Sequence, residues 1–319
     1  MIKIDFFNSD SRELLSCFCE YFHLNECEID SYFMQENSDN ITPNKFAFDF
    51  NLDLAKYYSD DIEIKCQHMT TTSEKNINKF YTMGLLDLKN ALQSKTPLSL
   101  FLSKYGIDVN VDKKLLTFNN VIYHITSYGE PCIKCIKNKV EKCTGYSKCE
   151  FREKMDHLGL KLYKYGATAE FFIHSSFERM ARYSSINRHP EILITIKNII
   201  SEIDNEHFSV NLGYEWTKNN NKCYVLEFGV KLSNMETFAP IDWRAGYDEY
   251  DDCIELSGYT YDDYMAKAVP QRVFDNIIFL KWFFSVYFYD SEILGSLLPD
   301  HTIPSEKVKY IEIKNDNNL

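Results

Sequence analysis

Ile62, Ile64 and Cys66 alternate with Glu63, Lys65 and Gln67, the period-two pattern of a half-buried strand. The pattern runs into His68, and three threonines and Ser73 follow. Apolar positions then recur at a helical interval, at Ile77, Phe80 and Tyr81, until Gly84 ends the run. Ser73 reads as the N-cap of that helix, leaving backbone amides free beside the histidine. Before this segment, Ser11 reads as the cap of a helix carrying Leu14, Leu15 and Phe18. A polar stretch then separates that helix from FAFDFNLDLAKYY. After it, residues 85–105 read as two short helices, broken near Pro97 and ended by Gly106. Residues 107–128 alternate like a hairpin. GATAEFFIHSSFERMARYSSINRHPEILITI reads as strand, short helix, strand. A polar stretch over 201–221 leads to the strand CYVLEFGVKL. The acidic, tyrosine-rich stretch Tyr247–Tyr264 reads as a loop, residues 270–289 as a helix, and IPSEKVKYIEI as a turn and a last strand. Strands and helices interleaved in this way predict an α+β or α/β fold, and no internal repeat is present.

Composition narrows the class. The chain has 319 residues, 45% of them apolar and 15% aromatic, enough to build a real core. No apolar run reaches the roughly 18 residues of a membrane span. IIFLKWFFSVYFY comes nearest, is shorter, carries Lys281 and reads as buried core. The opening MIKIDFFNSDSRELL lacks a signal-peptide layout, so a cytoplasmic protein is expected. A net charge of −12 disfavours non-specific binding to phosphate backbones.

The chain carries ten cysteines, better read as thiols or metal ligands than as disulfides. Cys17, Cys19, Cys27, Cys66, Cys223 and Cys253 are scattered. Cys132, Cys135, Cys143 and Cys149 cluster in PCIKCIKNKVEKCTGYSKC, where the CxxC pair sets two thiolates on one turn. Four thiolates complete a tetrahedral, structural zinc site with no open position for water. His124 and His157 are alternatives for one ligand, and four unligated thiols in a surface loop are the plain alternative. A redox CxxC is disfavoured, because no thioredoxin-like strand and helix flank it. Lys134, Lys137, Lys139, Lys142, Lys148 and Arg152 make this the one basic island. It suits phosphate or an acidic partner, or ordinary solvation of a small module.

HMTTTSEKNINKFYTMGL resembles the first motif of the ADP-ribosyltransferase superfamily. In that motif a histidine at a strand end holds a ribose of NAD, and a helix ending in Gly-Leu follows. FFIHSSFERMARYS is similar to the second motif: aromatics on a strand, Ser175 and Ser176, then a helix ending near Ala181 and Tyr183. The third motif needs a glutamate near the last strands. Glu292 in SEILGSLLPDHTIP fits it, resembling DNA-targeting and poly(ADP-ribose) polymerase-like members, with Glu255 and Asp263 as rivals. Phe171 stands where the histidine–tyrosine–glutamate class has tyrosine. It keeps a stacking face and loses a hydroxyl.

The resemblance implies an α+β, ADP-ribosyltransferase-like split mixed sheet with flanking helices and the zinc module inserted. The chain then divides into an extension over residues 1–60, the first part of the NAD-binding core over 61–105, a hairpin and zinc insert over 106–160, and the rest of the core over 161–319. It further implies that Glu292 and His68 are catalytic and that His68, Thr70, Phe171, Ser175 and Tyr183 hold NAD. The acceptor would be a protein or nucleic acid, a membrane is not involved, and an antitoxin or other regulatory partner is implied, because many relatives act as toxins in defence systems. No glycine-rich phosphate loop is present, and this chemistry needs none. Two other classes fit the same residues: a catalytically inactive nucleotide- or partner-binding module, and a zinc-containing nucleic-acid-binding protein that uses the lysine island.

Overall fold

The computed structural model describes residues 1–35, 41–125, 150–163, 169–183, 186–204, 208–236, 268–298 and 301–313. The architecture mixes helices and sheet as α+β. The strands are β1 (Ile2–Ile4), β2 (Ile62–Thr72), β3 (Ile107–Asn110), β4 (Leu115–Phe118), β5 (Val121–His124), β6 (Glu170–His174), β7 (Lys222–Lys231), β8 (Met235–Glu236), β9 (Ile293–Leu297) and β10 (Lys309–Ile313). Seven of them form one sheet in the order β10-β7-β2-β6-β9-β8, with β1 joined to β2 off this path. β1 runs parallel to β2, whereas β2 and β6 are antiparallel, as are β8 and β9. β3, β4 and β5 make a separate antiparallel meander, one strand more than the hairpin expected. Asn119 and Asn120, both at positive φ, close its second turn; asparagine tolerates that conformation better than most residues. No described helix is long and apolar enough to cross a membrane.

The chain forms two compact units. The first comprises Met1–Gln67, Phe171–Phe177 and Glu227–Leu298. Its helices are α1 (Ser11–Phe22), α2 (Glu26–Gln35), α3 (Pro43–Asp49) and α11 (Gln271–Tyr289). Phe18 stacks on Phe283 at 3.9 Å and meets Phe22 edge-on, and Phe46 meets Phe284. Aromatic pairs in such geometry add about 0.5–1.5 kcal/mol each beyond the area they bury. Buried Asn276 on α11 donates to the carbonyls of Leu54 and Tyr57 and accepts from Tyr21, which pins the loop before β2 onto the helix. The cap of α1 is Asp10 and not Ser11: its carboxylate accepts the Arg12 and Glu13 amides.

The second unit comprises His68–Glu170, Glu178–Leu226 and Pro299–Leu319. α4 (Ile77–Met83), α5 (Leu88–Gln93) and α6 (Pro97–Lys104) follow the predicted breaks, with Thr96 and Ser99 forming a capping box where Pro97 starts the last. α7 (Glu150–Tyr163), α9 (Ile192–Ile203) and α10 (Leu212–Asn219) share a core with the meander, built from Leu158, Leu162, Ile196, Ile200 and Trp216 among others. α8 (Phe177–Arg182) follows β6.

HPEILITI is helix, not strand: Ile192, Leu193, Ile196, Ile199 and Ile200 are all buried, a stripe at helical spacing. A short β-branched run hides that period until the residues after Ile196 are included. The polar stretch 201–221 also contains α10, whose Leu212 and Trp216 are buried although most of its other side chains are polar.

Strand β2 does not stop at His68. It continues through the three threonines to Thr72, and Ser73 precedes a short 3-10 turn with no side-chain capping bond. The helix behind it, α4, has seven residues, which is too little for an N-terminal anion site. The parity of burial changes along the strand. Ile62, Ile64 and Cys66 are buried in the first unit, whereas Met69 and Thr71 are buried in the second.

Candidate functional site

α11 ends at Asp290, whose left-handed backbone (φ 49°) turns the chain out of the helix while its last carbonyls stay paired: the Asp290 amide donates to the Val286 carbonyl and the Ser291 amide to the Ser285 carbonyl. Aspartate tolerates this conformation better than most residues. The turn sends the chain back into β9 and delivers Glu292 one residue before the strand. Gln67 pairs with Phe172, so Phe172 shares a face with Gln67. By alternation Phe171, Ile173 and Ser175 point to the other face, that of Ile64 and Cys66. Ser175 is buried, and its Oγ donates to Oε2 of Glu292 at 2.5 Å, a charge-assisted hydroxyl–carboxylate bond. This pair is the part of the predicted site that the first unit brings together. One carboxylate oxygen is fixed by the serine and the side chain is half-buried.

Phe171 lies on the same face but cannot stack on a ligand here. It is 1% exposed, meets Phe228 edge-on at 5.6 Å, and its ring reaches Gly295 on β9. A Cβ at Gly295 would lie 2.8 Å from Ile173 and 3.0 Å from Phe171, so the ring fills the space that this glycine leaves. Both ring faces are spent on core. Phe171→Tyr is accordingly expected to lower stability by about 1–3 kcal/mol, since its hydroxyl would enter packed surroundings without a partner. Urea unfolding checks this, and an unchanged midpoint would reveal room and a partner for that hydroxyl.

His68 belongs to the second unit and is half-buried on β2. Its Nδ1 lies 2.8 Å from the Glu170 carbonyl. Burial pushes the imidazole below its usual range, only partly opposed by that hydrogen bond. Burial thus favours the neutral ring; because a carbonyl only accepts, Nδ1 carries the proton of that form, which makes Nε2 its acceptor. Thr70 is half-buried two residues on, whereas Thr71 accepts from Trp216 Nε1 at 2.8 Å and is structural. Tyr183, 37% exposed, follows α8 in the same unit.

Two groups beside Glu292 escaped the sequence reading. His174 projects opposite to Ser175. Its Nδ1 lies 2.6 Å from the Phe6 carbonyl and its Nε2 lies 2.8 Å from Asp290 Oδ1. The signal was present in the strand alternation of FFIHSS and in an aspartate that stops a long apolar helix two residues before Glu292.

Cys132, Cys135, Cys143, Cys149, Glu255 and Asp263 lie outside the described residues. The alternative ligands His124 and His157 are both exposed, at the end of β5 and on α7. Among the described residues no three His, Cys, Asp or Glu side chains converge on a metal position. Compared with protein-family models, with curated proteins and with solved structures, the chain matches none.

Proposed function

We propose that the protein cleaves NAD between nicotinamide and ribose and moves ADP-ribose to a macromolecular acceptor. The observation that carries this reading is the sheet order: β2, β6 and β9, the strands of the three motifs, are consecutive neighbours. In this reaction the C1′–N bond breaks and its electron pair leaves with neutral nicotinamide. The acceptor's oxygen or nitrogen then bonds to C1′ and releases a proton. Positive charge develops on the ribose meanwhile. The Glu292 carboxylate, aimed by Ser175, would stabilise that charge and hold the 2′-hydroxyl. His68 Nε2, an acceptor, suits a hydroxyl of the other ribose, with Thr70 beside it in the strand. Tyr183 remains a candidate contact for the cofactor. Phe171 supports the site by packing.

The test is nicotinamide release from NAD by the purified protein, with NAD binding followed by calorimetry in the same samples. Release that His68→Ala abolishes is the expected result; neither release nor binding would end this reading. The burial of Phe171 favours one second reading, a fold that binds a nucleotide or partner without turnover. NAD binding without release under any acceptor condition is its signature. On the first reading the protein works in the cytoplasm and is held in check by a partner antitoxin.

The zinc module rests on cysteine spacing. About one zinc per chain is expected by elemental analysis, lost in Cys132→Ser with Cys135→Ser. A metal-free chain that keeps its fold would remove zinc from the proposal.

A further inference from the structure

We propose, resting on the reading just given, that His174 and Asp290 form a positioning pair for Glu292. β6 ends between Glu292 and Asp290. On one side Ser175 Oγ holds the Glu292 carboxylate at 2.5 Å; on the other, His174 Nε2 holds Asp290 Oδ1 at 2.8 Å. Asp290 is the left-handed residue of the turn, and only Ser291 separates it from Glu292 along the chain. The corner that presents the carboxylate is therefore gripped at both ends by consecutive residues of one strand. His174 is itself anchored through Nδ1 to the Phe6 carbonyl, 2.6 Å away, just after β1. The grip is built on rigid elements: the end of β6, the close of α11 and the start of β9.

The charges around the imidazole are arranged so that Asp290 is its carboxylate. The register Gln67–Phe172 sets Lys65 opposite His174. Lys65 is already held by Asp5 at 3.0 Å and Glu227 at 3.3 Å, and Gln67 also donates to Glu227. Asp290 is 75% exposed, and exposed pairs add little to global stability. Loss of the pair should then act on the placement of Glu292 and leave the fold standing.

Asp290 allows a clean test, because glycine and asparagine both accept its backbone conformation. Asp290→Asn keeps an acceptor for His174, whereas Asp290→Gly keeps only the turn. Asp290→Gly and His174→Ala are each expected to lower kcat for nicotinamide release about tenfold, with KM for NAD within about twofold. Asp290→Asn is expected to retain most of the activity, and the double variant to fall no further than either single one. A wild-type kcat in Asp290→Gly, or losses that multiply in the double variant, overturns the pair. Should the wild type release no nicotinamide, the reading of the reaction fails, yet the positioning can still be decided. In protein labelled with carboxyl-carbon-13 glutamate, the Glu292 resonance is the one missing from Glu292→Gln. It is expected to move in Asp290→Gly and stay in Asp290→Asn. A resonance unmoved by Asp290→Gly also overturns the pair.

Discussion

Glu292→Gln is expected to reduce nicotinamide release by about 10²–10³-fold, equivalent to about 3–4 kcal/mol of lost transition-state stabilisation. The amide has the shape of the carboxylate, and its oxygen still accepts from Ser175, so the local fold should be kept. What disappears is the negative charge facing the developing oxocarbenium, and that charge matters far more in the transition state than in bound NAD. The loss should therefore appear in kcat, with NAD affinity by calorimetry changed by less than about threefold. Ser175→Ala, which frees the carboxylate without removing it, should cost less, about tenfold. A Glu292→Gln protein that turns over at the wild-type rate would show that the carboxylate lies elsewhere.

Gly84→Ala is expected to give the largest loss of stability among single methyl additions. Gly84 ends α4 with φ 67° and ψ −157°, a region essentially reserved for glycine. A Cβ there would sit 2.1 Å from the Ile303 carbonyl oxygen and 2.9 Å from the Ser305 amide nitrogen. Neither atom can yield freely. That same carbonyl accepts the Leu85 amide at 2.9 Å, and Ile303 donates back to Leu85. Backbone strain and the broken bridge together should cost about 3 kcal/mol or more, lowering the melting temperature by roughly 6–12 °C. Circular dichroism on heating is the measurement. A shift under about 2 °C would mean that the segment after residue 300 moves aside without penalty.

Much of this architecture is legible in the sequence wherever a local rule acts alone. Pro97, Gly84 and Gly106 punctuate the helices where expected, and the apolar run before Asp290 is a single helix. The misses have physical causes. HPEILITI is short and β-branched, so strand and helix periods coincide over it, and only the buried stripe of α9 separates them. The threonines after His68 carry no apolar alternation, yet they continue β2, because Thr71 finds a partner in Trp216, far off in sequence. At the site, the strand order and the Ser175–Glu292 contact needed the fold. The face of Phe171 could be predicted by alternation, but its burial could not, since that depends on Phe228 and on the space above Gly295. The strand alternation and the end of the apolar helix mark His174 and Asp290 one by one, but their pairing needed the fold, because it spans 116 residues.

The first unit is assembled from three separated stretches, and this governs when it can exist during synthesis. Its opening stretch ends at Gln67, a seven-residue stretch brings β6, and the last stretch closes only at Leu298. A nascent chain that has passed Phe177 holds Ser175 without the residue it grips, and the aromatic helix that covers Phe18 is not yet made. A chain interrupted before Glu292 lacks the carboxylate altogether. Whatever chemistry this site performs thus waits until Glu292 has been made and can fold back onto the end of β6.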